Sequence, residues 1–309
     1  MNSPHISVLP CEVLQSFDTP LVHKGGILLD CTLGFGGHTS MLLKAYPKLQ
    51  IIGIDKDREA LEFCNEFLAP FKDRFTPLYG DFSIKALEIL KKEKLVGVLA
   101  DIGVSSLQFD KEDRGFSFKS NTLDMRMDKN KSLSAKDIIN SYSLVELERI
   151  FRDYGEIREY KKLARLIVEW RKEAKIISAQ ELSSKIAMHF KASKIHPATL
   201  AFQALRIEVN DELGELERLL RGIFENPLQK GARVSIISFH SLEDRIVKEH
   251  FKRWEKSCIC PMNVMRCECG NNHALGKSIY KKPLIATSEE NMKNPRARSA
   301  KLRTFEFGK

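Results

Sequence analysis

No apolar run in the sequence approaches the roughly 18–20 residues that a membrane helix needs. No tract is of low complexity, and 43% of residues are hydrophobic, so disordered, collagen-like and coiled-coil classes are excluded. The first 26 residues lack a basic stretch and carry Glu12 and Asp18, so no secretory leader is expected and a cytoplasmic location is. Seven cysteines in 309 residues are too few for a secreted disulfide framework. Three signatures are also missing. A dinucleotide G-x-G-x-x-G fails because its last glycine falls on Thr39 or Met41. No Gly-Lys-Ser/Thr completes a P-loop, and no G-x-S-x-G elbow supports a Ser–His hydrolase.

What is present is uneven charge. The net charge is +9, but residues 1–110 hold 11 basic and 14 acidic side chains, and residues 201–244 hold 5 and 8. Residues 111–200 hold 19 and 13, and residues 245–309 hold 15 and 6. Basic charge therefore gathers in the middle and the tail. A polyanion such as nucleic acid becomes a plausible partner, against the alternative of lysines that only solvate helices.

Hydrophobic patterning predicts strands at Ile27–Thr32, Gln50–Asp55, Phe75–Tyr79 and Leu95–Ile102, with helices between them. That rhythm argues for a parallel sheet covered by helices. It stops at about Lys111, and helical patterns alone run to Leu200. Strand character returns at Arg233–Phe239. Ile279–Ala286 and Ala300–Phe307 read as an antiparallel pair. The expected architecture is one α/β sheet domain, residues 1–110 and 201–309, interrupted by an all-helical insertion over 111–200.

The first strand runs into Asp30-Cys31-Thr32-Leu33-Gly34-Phe35-Gly36-Gly37-His38, a glycine turn that opens a helix. Asp55 follows Gly34 by 21 residues at the end of the second strand, where an acid can accept from both ribose hydroxyls. A glycine loop with a ribose acid but no phosphate motif suits a nucleoside without a phosphate chain, and S-adenosylmethionine (SAM) meets that description. Asp101 ends the fourth strand, on the edge where open α/β sheets bind ligands. It is a candidate to orient a methyl-accepting amine, to bind the cofactor, or only to cap the strand. Phe109, Phe116 and Phe118 follow as base-stacking or core residues. His240 and Ser241 end the fifth strand and are candidates for lining the base pocket.

These residues carry a resemblance. The chain resembles the MraW/RsmH methyltransferases over almost its whole length. The matching blocks include His5–Leu9, Thr32–His38, Gly53–Asp57, Asp101–Gln108, Arg114–Phe118 and Leu123–Asp128. Further blocks are His196–Thr199, Phe202–Ile207, Val209–Leu213, Ile237–Arg245 and Asn294–Ser299. The resemblance implies a Rossmann-like SAM-dependent methyltransferase sheet with an inserted helical substrate-recognition domain. It implies methylation of the exocyclic N4 of a cytidine in bacterial small-subunit ribosomal RNA, presented as RNA or as a small ribosomal particle. SAM contacts carry over to Gly36, Gly37, His38, Asp55, Phe82, Asp101 and Gln108. Catalytic roles are expected for Asp101, His240 and Ser241, with no catalytic metal, no membrane partner, and a homodimer left open. One departure is Leu200, where the family usually has arginine, so the basic contact is either missing or supplied by Lys191 or Lys194. A SAM-fold RNA-binding or assembly factor without activity, and an amino-methyltransferase acting on DNA or protein, remain as alternatives.

Several motifs keep two readings. Asp124, Arg126 and Asp128 form either a positioning network or a solvated loop. His196 either touches RNA or caps and packs. Arg206 and Asn210 share a helix face and either reach the cleft or pair with the loop after Asp101. Arg296, Arg298, Lys301 and Arg303 suit phosphate contacts or simply alternate on a strand. Cys258-x-Cys260 and Cys267-x-Cys269 are either a structural zinc site or a reduced thiol cluster, one residue tighter than the usual C-x₂₋₄-C.

Overall fold

The computed structural model describes residues 7–104, 109, 111–191, 195–261 and 266–309. Two compact units emerge, one from Met1–Gly103 with Gly214–Lys309, the other from Val104–Leu213.

The first unit is built on an eight-stranded sheet: β1 (Gly26–Asp30), β2 (Leu49–Asp55), β3 (Phe75–Tyr79), β4 (Leu95–Asp101), β5 (Arg233–Ser238), β6 (Gly276–Ser278), β7 (Leu284–Ile285) and β8 (Lys301–Phe307). The order is β3-β2-β1-β4-β5-β8-β6, with β7 also on β8. The first five strands are mutually parallel, and β8 runs antiparallel to β5. The central strands are nearly continuous apolar runs because both faces are covered. Alternate residues go to opposite faces. Leu28, Leu99 and Ile237 join one core with Val13, Leu42 and Leu61. Leu29, Val98 and Ile236 join the other, with Ala86, Leu220 and Trp254.

The helices of this unit are α1 (Pro10–Ser16), α2 (Pro20–Lys24), α3 (Gly37–Ala45), α4 (Arg58–Phe67) and α5 (Phe82–Leu90). Strand order reverses between β1 and β4, which opens a crevice beyond their carboxyl ends. On the sheet's far side the expected antiparallel pairing is present but short, with Leu284 and Ile285 opposite Leu302 and Lys301. β8 lies between β5 and two short strands, and residues 279–286 do not form one continuous strand. Pro283 interrupts that segment, since it has no amide to donate to a ladder.

The second unit contains helices and no strand among the described residues. Its helices are α6 (Ala135–Ser141), α7 (Leu144–Asp153), α8 (Tyr160–Glu173), α9 (Ala179–His189) and α10 (Thr199–Asn210). Ser134 with Asp137, and Ser143 with Glu146, form capping boxes that start α6 and α7. The unit starts before residue 111 and ends beyond residue 200. The cause is α10, whose Ala201, Phe202, Leu205 and Val209 join the helical core with Ile150, Ile167 and Leu182. The remaining helices are α11 (Glu212–Glu225), α12 (Ser241–Trp254) and α13 (Ser288–Lys293).

Asn210 ties α10 to the 125–127 segment. Its Oδ1 accepts from the Met127 amide at 2.8 Å, and its Nδ2 donates to the Met125 carbonyl at 2.8 Å and to the Arg206 carbonyl at 2.9 Å. Buried Arg114 donates from Nη2 to the Met127 carbonyl at 2.9 Å. Asn210→Ala strands a buried amide and a buried carbonyl, each costing roughly 1–3 kcal/mol. Denaturant unfolding of the full chain is expected to show a loss of about 2–4 kcal/mol, with the helical unit melting first. A loss under about 0.5 kcal/mol, the size of an ordinary surface change, would contradict this assignment.

Candidate active site at the carboxyl edge of the sheet

Asp30 and Asp101 end the two strands that flank the reversal. Asp30 is buried; it accepts from the Thr32 amide at 3.1 Å and from the Thr39 hydroxyl at 2.7 Å. Thr32 Oγ1 in turn accepts the Asp101 amide at 2.6 Å, which couples the glycine turn to β4. Asp101 Oδ1 is buried and has no hydrogen-bond partner among the described residues. Burial raises the Asp101 carboxyl to about 8, and Asp30 and Glu243 add like charge. Burial also lifts Asp30 to about 6.

His38 lies beside Asp101. Its Nε2 is 2.8 Å from the Val8 carbonyl, an acceptor, so the hydrogen-bond pattern assigns the ring proton to Nε2. Burial holds the ring below its usual pKa, hence neutral. A bare Nδ1 therefore sits 3.8 Å from Asp101 Oδ2. A protonated Asp101 and a neutral His38 are mutually consistent. An unpartnered buried carboxyl oxygen fits a cationic ligand, because a cation there would restore the ionised form. SAM carries such charge on its sulfonium and its ammonium.

Asp55 ends β2. Its two oxygens accept the Gly34 amide at 2.7 Å and the Asp57 amide at 2.8 Å, and burial raises its carboxyl to about 6. Each oxygen keeps a second lone pair, so ribose hydroxyls have acceptors here. The glycines differ. A Cβ on Gly37 would fall 2.1 Å from Ser7 Oγ, whereas a Cβ on Gly34 would meet nothing nearer than 4.0 Å. Gly34 also has φ +51°, a left-handed conformation that favours glycine. Gly36 and Gly37 thus face protein side chains, Gly36 also with a left-handed φ of +72°, and the open face of the turn is at Gly34. Phe82 begins α5 and is buried in the core beneath the sheet edge. Next to it, Lys56 pairs with buried Glu215 at 3.0 Å, and burial raises that carboxyl to about 7. Gln108 lies outside the described residues.

His240 caps α12. Its Nδ1 accepts the Glu243 amide at 3.5 Å, and Glu243 Oε2 accepts the Phe239 and His240 amides at 2.7 and 3.2 Å. Its Nε2 is 2.9 Å from Glu243 Oε1, without hydrogen-bond alignment. Ser241 is exposed on the first turn. Buried Glu243, the partner of His240, adds like charge at Asp101. Two carboxyls at this edge, Asp30 and Glu243, were not among the expected site residues. Arg303 is engaged by Asp244 at 2.7 Å, and Lys301 lies 3.5 Å from the same carboxylate, so these two tail cations are held in the sheet unit. Arg296 and Arg298 are exposed.

In the helical unit, Phe116 is core, Phe109 is exposed, and Phe118 stacks on the His196 ring at 4.6 Å. His196 Nδ1 also accepts the Ala198 amide at 3.2 Å, so this histidine caps and packs. Arg126 forms a two-point pair with Asp124 at 2.6 and 2.9 Å, which holds that carboxyl below its usual range. Arg206 pairs with Glu212 at 2.9 Å, and Asn210 holds the 125–127 segment. A cavity of about 430 Å³ is lined by Lys162, Phe190, Lys191, Ile195, His196 and Leu200, among others. Leu200 and Lys191 thus border the same groove; Lys194 lies outside the described residues.

Comparison with known proteins is decisive. Residues 2–308 match the MraW methylase family. A ribosomal RNA small subunit methyltransferase H of Wolinella succinogenes is 60% identical over 308 residues, 99% of either chain. Proteins of the same name from Aliarcobacter butzleri and Nitratiruptor sp. are 54% and 52% identical over 307 residues each, 99% of this chain and 100% and 99% of theirs. The chain thus belongs to the MraW methylase family and is a SAM-dependent methyltransferase.

Proposed function

We propose that the protein transfers a methyl group from SAM to the exocyclic N4 of a cytidine in small-subunit ribosomal RNA. The relatives' shared name supports the substrate class, and their cellular role supports work in the cytoplasm. Among the described residues, no helix is long and apolar enough to cross a membrane. The observation that carries the chemistry is the buried, unpartnered Asp101 oxygen at the strand reversal.

The cofactor, when bound, supplies a methyl group on a positively charged sulfur. The chain's residues do the rest. The Gly34–His38 turn and Asp55 bind the nucleoside, Phe82 borders its base, and Gln108 is assigned to the same site by family likeness. Asp101 is ionised while a cation lies beside it and accepts an N–H of the cytidine amine, which aims the nitrogen's lone pair. Transfer of that methyl group would carry its positive charge from the sulfur to the amine nitrogen, which then has a proton to lose. Asp30 and Glu243 then push the Asp101 carboxyl back up, and Oδ1 takes the proton the amine sheds. His240 and Ser241 border the base at the head of α12. The helical unit offers the Lys162–Lys191 groove to the RNA backbone.

Four measurements test this reading. Labelled SAM incubated with small ribosomal particles or their RNA from a strain lacking the enzyme should yield N4-methylated cytidine on nucleoside analysis. No such nucleoside, from folded and SAM-bound protein, sinks the proposal. Asp101→Ala should lower transfer by roughly a hundredfold. A variant with wild-type rate would remove Asp101 from the chemistry.

Binding of SAM should depend on pH. The free Asp101 carboxyl is raised, so it must lose a proton to meet the cation. Affinity by calorimetry should therefore weaken as pH falls from about 8 towards 6, with a proton released on binding. Asp101→Asn should bind more weakly and lose the dependence in that window. Below about 6, Asp30 and Asp55 add their own dependence. An equal slope in the wild type and the Asn variant would rule out Asp101 as the group.

RNA affinity should also depend on salt. Lys191→Ala is expected to lower the slope of log affinity against log salt by about 1, at unchanged SAM affinity. An unchanged slope would take the groove off the RNA path.

A further inference from the structure

The segment between α12 and β6 has little apolar core. Ile259 is 62% exposed, and Cys267 is exposed as well. Yet two pairs of cysteines from one loop converge here. The sulfurs of Cys258, Cys260, Cys267 and Cys269 all lie within 4.8 Å of one another. Cys267 and Cys269 are 3.6 Å apart, and Cys269 and Cys258 are 3.7 Å apart. A tetrahedral ion with bonds of about 2.3 Å to sulfur needs sulfur–sulfur edges of about 3.8 Å. A disulfide needs about 2.05 Å, and all four thiols are free. A multi-iron cluster spreads its cysteines over several metals, and so needs a wider cage than four sulfurs around one point.

The backbone adds an independent observation. The residue inside each pair donates its amide to the second sulfur of the other pair. Ile259 donates to Cys269 Sγ at 3.3 Å, and Glu268 donates to Cys260 Sγ at 3.3 Å. This reciprocal arrangement directs two N–H groups at sulfur, where they stabilise thiolate and fix its direction. It also explains how a one-residue spacing works. Each C-x-C turn folds its two sulfurs to one side, and the crossed amides hold the turns face to face.

We propose that Cys258, Cys260, Cys267 and Cys269 bind one structural zinc ion, which pins this segment to the end of the sheet. Binding displaces the thiol protons to solvent and leaves four zinc–thiolate bonds. The flanking backbone is already tied down: Leu275 donates to the Trp254 carbonyl at 2.8 Å, and His273 donates to the Ser257 carbonyl at 2.9 Å. The ion supplies the cross-link that an exposed loop cannot obtain from buried apolar area.

The test is elemental analysis of the full chain purified in reductant without chelator. About one zinc per chain is expected. The Cys258→Ser/Cys267→Ser double variant, one change per pair, should lose it, and Cys11→Ser should keep it. Circular dichroism reports whether the double variant folds. If it does not, the wild-type chain still decides the matter: stripped of metal and given cobalt, it should show thiolate-to-cobalt charge-transfer absorption with one ion bound. Wild-type protein that takes up neither zinc nor cobalt in reductant overturns the proposal. So does metal retained by a folded double variant, or a site filled by iron from cells supplied with zinc.

Discussion

The structure depends on a crowding of acids. Asp30, Asp101 and Glu243 meet at the carboxyl edge of the sheet, and burial with mutual repulsion raises Asp101 to about 8. Such an arrangement opposes folding unless the carboxyl keeps its proton, and it does so at neutral pH. The rest of the site is organised around it. Thr32 bridges the Asp101 amide to the turn, Asp30 fixes that turn through Thr32 and Thr39, and neutral His38 leaves an acceptor facing Asp101. A positively charged methyl donor is what this edge is prepared to receive. Its discharge during transfer makes the same edge prepared to receive a proton.

Much of this could be read from residues in order. Strand periodicity and the turn after Asp30 placed four parallel strands, and the spacing to Asp55 placed an acid beside Gly34. The loss of strand rhythm after Lys111 located the helical segment. The parts that were not legible are contacts between distant positions. Glu243 looks like an ordinary helix-start acid, and only the neighbouring strand ends turn it into a partner of Asp101. Asn210 reads as a polar residue one turn beyond Arg206, but two of its three partners lie more than 80 residues away. Arg303 suits phosphate until β8 takes its place beside β5 and brings Asp244 within reach.

Capping chemistry explains another difference. His240 and Glu243 have the three-residue spacing of a capping box, with histidine where serine or threonine is usual. Position at the ligand edge suggested a catalytic histidine. In the structure its Nδ1 accepts the Glu243 amide at the helix start, and Glu243 in turn adds like charge at Asp101. Similarly, Gly36 and Gly37 face protein rather than open space, while Gly34 leaves the turn uncovered.

The position of β8 has a consequence for how the chain is made. Its Phe305 and Phe307 complete an aromatic wall with Phe251 and Trp254, and its backbone covers the edge of β5. These groups leave the ribosome after every other strand of the sheet. The helical unit, contiguous from Val104 to Leu213, emerges whole well before them. During translation the sheet unit thus starts first and closes last, with the edge of β5 exposed in between. A chain cut short by even this one strand would release a finished helical unit attached to an open, adhesive sheet.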